Sequence, residues 1–229
     1  MPHAKERLLK HAPITEAVID LHVQARVEFG AYVEPLRAAF RESFDSDEEQ
    51  PAEKRGRRGL IFPASPTSEA VQVSENGFAF SKLQPYTSWE DVRDSARRYW
   101  EIYRRVVDVE TIDRVGVRYI NQFRLRHDQK LADYFTALPQ VPENVGPGEV
   151  ADRLSRLTIR DDKMGISARV FYVCKPDETG VTVIIDTDAA KLGRFDDEDI
   201  WASLEQLREV KNRIFFGSIT ETAAQEFDQ

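Results

Sequence analysis

Cysteine is almost absent from this chain. Among 229 residues there is one, Cys174, which excludes an internal disulfide and a thiolate metal cage. A reducing, cytoplasmic setting is the simplest expectation. Cys174 follows the apolar run 169–173 and reads as a small buried hydrophobe rather than a nucleophile. Long hydrophobic runs are absent too. None approaches the roughly 20 residues of a membrane helix, and residues 1–7 lead into no apolar core, so neither a span nor a signal peptide is expected. Histidine is sparse and scattered, at His3, His11, His22 and His127. There is no His-Glu-x-x-His, no phosphate-binding glycine loop and no glycine-flanked serine. No catalytic residue, cofactor or metal ligand is therefore assigned. Basic charge is in deficit: 32 Lys and Arg against 40 Asp and Glu leave a net charge of -8. That disfavours generic duplex binding, which needs a basic face. A protein or a small ligand is the better expected partner.

What remains is ordinary and well patterned. Hydrophobic residues make up 41% and charged ones 31%, with a mean hydropathy of -0.50, as in soluble globular proteins. The length suits one large domain or two joined halves. Two halves are what the order of segments describes. Residues 17–29 alternate, with Ile19, Leu21, Val23, Ala25, Val27 and Phe29 on one side and Asp20, His22, Gln24, Arg26 and Glu28 on the other, the period of a half-buried strand. A helix is expected over 33–44, then strands at 59–62 and 71–73. Asn76-Gly77 marks a hairpin, and a long helix follows the capping box at Thr87 to Glu90. On that helix Asp94–Arg98, Arg97–Glu101 and Glu101–Arg105 are spaced for i,i+4 pairs.

The second half repeats the phrase: a strand over 112–125, a short helix over 131–138, a strand from 154, a hairpin turning at Pro176 to Gly180, and a helix led in by Trp201. Gly77 and Gly180 hold equivalent places, as do Trp89 and Trp201. A repeat this long is a duplicated half-domain rather than a solenoid unit. The halves are placed at 1–110 and 111–229. Residues 1–12 are expected to be loose or a short helical lead-in. The loop at 45–59, four acids then four bases around Pro51 and Gly56, is expected to be mobile, and 139–148 is a second loop.

Three constellations stand out. Pro13-Ile14-Thr15-Glu16-Ala17 opens the first strand. Arg114-Val115-Gly116-Val117-Arg118-Tyr119-Ile120-Asn121 occupies the corresponding strand of the second half, so Glu16 and Arg118 sit at comparable places and are candidates for an ion pair that fixes register. Lys211-Asn212-Arg213-Ile214-Phe215-Phe216-Gly217-Ser218-Ile219-Thr220 is dense in donors at a helix end. It reads either as a C-cap at Gly217 with phenylalanines docking the helix, or as a site formed with Arg114 and Arg118. The candidate ligand- or partner-binding residues are therefore Glu16, Arg114, Arg118, Asn121, Lys211, Asn212 and Ser218.

Together these three segments resemble a sporadically distributed family of uncharacterised bacterial proteins. Its members open with Pro-x-x-Glu-Ala, carry Arg-x-Gly-x-Arg-Tyr-x-Asn in the middle and close on a Lys-Asn to Ser-Ile-Thr segment. The resemblance implies no activity. Its patchy distribution points to accessory or defence-related genes, such as toxin-antitoxin pairs.

The expected fold is α+β. Two strand-helix-three-strand-helix halves would share one curved antiparallel sheet, an arrangement similar to the TATA-binding-protein saddle. The leading expectation is a non-enzymatic module that recognises a protein through the open sheet face, with a homodimer as a further expectation. The alternative is a small-ligand or nucleotide sensor, or an enzyme, with an Arg/Lys/Asn anion site between the halves. Single-stranded nucleic acid is a third class, since it needs stacking aromatics in a basic groove.

Overall fold

The computed structural model describes residues 2–25, 28–46, 48–50, 59–63, 68–138 and 152–228. The elements are β1 (Ile14–Ala25), a 3-10 turn (Phe29–Tyr32), α1 (Val33–Phe40), β2 (Glu48–Gln50), β3 (Gly59–Phe62), β4 (Glu69–Ser74), β5 (Gly77–Leu83), α2 (Trp89–Val106), β6 (Val109–Leu125), α3 (Leu131–Tyr134), β7 (Arg153–Asp161), β8 (Ile166–Asp177), β9 (Gly180–Phe195), α4 (Asp197–Ser218) and α5 (Glu221–Glu226). The fold is α+β, as expected. The chain forms two compact units. The first comprises Glu16–Arg118 and Ala190–Gln206; the second comprises Met1–Thr15, Tyr119–Ala189 and Leu207–Gln229. Each unit draws on both stretches 1–110 and 111–229.

In the first unit the strand order is β2-β3-β4-β5-β1-β6. Antiparallel registers align apolar residues into rows. Ile19 faces Phe80, which faces Val71, which faces Phe62. Leu21, Phe78, Val73 and Leu60 make the next row. All eight are at most 2% exposed, because period-2 alternation puts every second side chain on the packed face. The helices close over these rows. Phe40 of α1 stacks on Phe62 with centroids 4.7 Å apart, and Tyr99 and Trp100 of α2 contact Phe80 and Phe78, each at 5.7 Å.

Several boundaries move. α1 ends at Phe40, yet Phe44 stays buried and packs on Tyr99 at 5.2 Å. β1 ends at Ala25, and Phe29 enters the core from the 3-10 turn instead. The expected strand residues Arg26 and Val27 lie outside the described residues. The cap of α2 is Ser88, one residue later than the Thr87 frame; its hydroxyl accepts from the Asp91 N–H at 3.0 Å. Arg97 pairs with Glu101 as spaced. Arg98 leaves Asp94 for Glu69, whose half-buried side chain also gathers Ser95 and Tyr99. Asp94 pairs with Arg93. Of the loop expected at 45–59, Glu48–Gln50 form β2 and Gly59 opens β3; positions 51–58 lie outside the described residues, as do 139–151.

The second unit has the strand order β6-β9-β8-β7. Its core gathers Phe123, Val170, Tyr172, Val183, Ile185, Phe215, Phe216 and Ile219. Cys174 belongs to it at 1% exposure, and burial raises its thiol pKa, which suits a packing role. Residues 2–12 are not loose but tied down. The Ala4 N–H donates to the Ile219 carbonyl and the His11 N–H to that of Phe227, both at 2.9 Å. Arg7 pairs with Glu221 at 2.8 Å and Asp228 at 2.7 Å. α3 stops at Tyr134 because Phe135 turns extended to bridge Ile219. Gly217 is not a C-cap: α4 continues to Ser218, and the chain then enters bridges through Ile219 and Thr220.

Candidate functional site

In the first unit, β1 and β6 carry a polar row on the side away from the core. Arg114 pairs with Asp20, the two being 13% and 20% exposed. His22 Nε2 lies 3.8 Å from the same carboxylate. Gln24 accepts from the Thr111 hydroxyl at 3.2 Å and donates to Asp113 at 3.5 Å. Gly116 makes room for the charge pair, since a Cβ there would lie 2.5 Å from Asp20 Oδ1 and 2.6 Å from Arg114 Nη1. We expect Gly116→Ala to displace this pair and lower stability by about 1 to 2 kcal/mol, read as a shift of the urea midpoint. An unchanged midpoint would show that the pair has space to spare. His22, Gln24 and Asp113 also border an open cleft of about 500 Å³.

The candidates Glu16 and Arg118 belong to the same unit. Glu16 is half-buried opposite Leu83 in the β1–β5 ladder, and Arg118 is exposed on β6. Among the described residues the anticipated Glu16–Arg118 ion pair is not formed. The β1 acid that meets a β6 arginine is Asp20, against Arg114.

The other candidates lie in the second unit, and most are engaged in its interior. Asn121 is 3% exposed and donates its amide to the Ile185 carbonyl of β9 at 3.3 Å. Ser218, also 3% exposed, donates to the Ile214 carbonyl at 2.6 Å, leaving its oxygen to accept from the Tyr172 hydroxyl at 2.8 Å. Lys211 is 9% exposed, with Nζ 3.6 Å from the Tyr119 ring centroid. Burial, with Arg208 adding, pushes its pKa down to about 7, while Glu6 opposes. Asn212 donates to Glu6 of the N-terminal segment at 2.8 Å. The motif residues thus hold strands and helix together.

A surface the sequence reading missed lies on the opposite side of the second unit's strands. β8 alternates buried Val170, Tyr172 and Cys174 with half-exposed Phe171 and Val173. β9 alternates buried Val183, Ile185 and Thr187 with half-exposed Ile184, Asp186 and Asp188. Leu154 of β7, 67% exposed, stands opposite Val173. Ion pairs flank this apolar group. Arg169 bonds Asp188, and Arg124 bonds Asp177, holding that carboxyl well below its usual range. Apolar residues at the alternating polar positions of 171, 173 and 184 were the signal that could have found it. No protein-family model matches the chain and no curated protein matches it significantly, so function rests on these residues and their geometry.

Proposed function

We propose that the protein is a non-enzymatic binding module that recognises a protein partner through the half-exposed sheet face of its second unit. The observation that carries this reading is the group Phe171, Val173 and Ile184. These are apolar side chains on a face that, among the described residues, the unit's core does not use. They are flanked by the Arg169–Asp188 and Arg124–Asp177 pairs. An apolar centre with a charged rim is the anatomy of a protein interface, and aromatic anchors carry most of the energy in such sites. A small-ligand reading has less support, because Asn121, Lys211 and Ser218 are buried and already engaged.

The same proposal includes the finer architecture, a duplicated strand-helix-three-strand-helix half akin to the TATA-binding-protein saddle. What supports it is the like setting of the two hairpin glycines. Gly77 lies against the Leu21 carbonyl of β1 and Gly180 against the Leu125 carbonyl of β6. Each is the first residue of the returning hairpin strand, and each has positive φ.

The test is native mass spectrometry of the tagged protein captured from its source cells at low salt. We expect a stoichiometric protein partner on the wild type and a loss of at least about tenfold with Phe171→Glu, at an unchanged melting temperature. Capture that survives Phe171→Glu, or a bound small mass with no protein, would overturn the reading.

A further inference from the structure

We propose that two copies of this chain pair edge to edge through β7, antiparallel, about a twofold axis at Leu157. Among the described residues β7 is the last strand of its unit's order. It pairs with β8 in an unbroken ladder from Arg153↔Cys174 to Asp161↔Ile166. Among the described residues no further strand pairs with its other edge, which leaves a row of backbone donors and acceptors there. Proteins guard such edges with short strands, bulges, proline or charged side chains, lysine above all; the charges of β7 are Arg153, Arg156, Arg160 and Asp161. The last strand of the first unit's order, β2, is 3 residues long. β7 is 9 residues long, and its sequence RLSRLTIRD has neither proline nor lysine. The continuous register leaves no bulge.

The edge is also apolar where it should not be. Leu157 is 47% exposed and Ile159 43%, yet their partners across the ladder, Val170 and Ala168, are 0% and 1% exposed. Directly opposed residues share a face, so the packed face of the sheet continues onto β7 and stops there unfinished. A second β7 would extend it by setting Leu157 on its own copy and Ile159 beside the partner's Ser155.

Charge selects the occupant and the register. With the axis at Leu157, all of β7 overlaps, and Arg153 meets the partner's Asp161 at both ends. Leu154 then faces the partner's Arg160, and Arg156 the partner's Thr158. Moving the axis to Arg156 sets that arginine against itself. Moving it to Thr158 sets Arg156 against the partner's Arg160. Like charges directly opposite are unfavourable. The Asp161 carboxylate is held in place for this role: Oδ1 accepts from the Lys163 and Met164 N–H groups, each at 3.1 Å, and Oδ2 has no hydrogen bond among the described residues. A symmetric antiparallel pair is the isologous contact that closes a dimer. It does not depend on what the sheet face binds.

The test is sedimentation velocity of the full chain from about 1 to about 100 µM. We expect a dimer that Leu157→Arg weakens by at least about tenfold, since it places two arginines on the axis. The residue is half-exposed, and circular dichroism checks that the variant is folded. Arg153→Asp should weaken the dimer as well, and Arg153→Asp combined with Asp161→Arg should restore it by reversing the pair. A wild type that stays monomeric, a dimer indifferent to Leu157→Arg, or a folded double variant that fails to recover would each overturn the proposal. Phe171→Glu should leave self-association intact, which separates this contact from the partner-binding reading.

Discussion

Replacing Lys211 by methionine should stabilise the protein at neutral pH, and the advantage should shrink as the pH rises. Lys211 is 9% exposed, and its Nζ lies over the face of Tyr119, 3.6 Å from the ring centroid. Taking an ammonium out of water disfavours its charged form, and Arg208 adds like-charge repulsion that Glu6 only partly offsets; the result is a pKa of about 7 against an ordinary 10.5. The folded pKa is thus below the unfolded one. Between about pH 7 and 10.5 the unfolded chain holds a proton that the folded chain has released, so stability rises with pH through that window. Below about 7 both states are protonated and the full cost of burying the charge is present. Across about pH 7 to pH 9 the wild type should gain roughly 2 kcal/mol relative to Lys211→Met. Methionine fills a similar shape without charge, but it forfeits a cation–π contact of up to about 2 kcal/mol. At pH 7 its net advantage should therefore be about 2 kcal/mol. Urea unfolding of both proteins across this range measures it. Curves that stay parallel would show that the amine keeps its ordinary pKa and reaches solvent.

The same residue shows how far the sequence could be read. Lys211, Asn212 and Ser218 stand out as a donor-rich cluster, but sequence spacing does not say whether donors face water or the interior. Here α4 runs through Gly217, which turns Lys211 onto Tyr119 and Ser218 onto Tyr172. Asn121 looks like a ligand residue and instead donates to a neighbouring strand's carbonyl. What was legible was periodic. The alternation of Ile19, Leu21 and Val23 became a buried row. What was not legible depends on partners distant in sequence. Backbone bonds such as Ala4 to Ile219 leave no local pattern in residues 2–12. Arg98 prefers Glu69, on strand β4, to the acid four places away on its own helix. The strand expected from 154 is β7, but its Leu154 and Leu157 lie on opposite faces, and its place at the end of the strand order is evident only once β8 is paired with it.

Gly77→Ala and Gly180→Ala should each cost about 3 kcal/mol or more, whereas Gly217→Ala should be neutral or stabilising by up to about 1 kcal/mol. Gly77 has φ of 130° and Gly180 of 151°, backbone that side-chain-bearing residues rarely adopt. Conformation is only half of the cost. A Cβ on Gly77 would strike the Leu21 carbonyl oxygen and come within 2.9 Å of the Val23 nitrogen. A Cβ on Gly180 would strike the Leu125 carbonyl oxygen and lie 3.1 Å from its carbon. Neither strand can yield cheaply, because Leu21 and Leu125 are 1% and 2% exposed and moving their backbone would unseat core side chains. Gly217, inside α4, has nothing within 4 Å of an added Cβ. Alanine there lowers only the entropy of the unfolded chain. Denaturation midpoints of the three variants measure these costs directly. Matched losses at Gly77 and Gly180 are what a duplicated half would give, since each glycine would then open the equivalent returning strand against the equivalent first strand. A Gly180→Ala variant as stable as Gly217→Ala would sink both the tight approach of the second hairpin and its equivalence to the first.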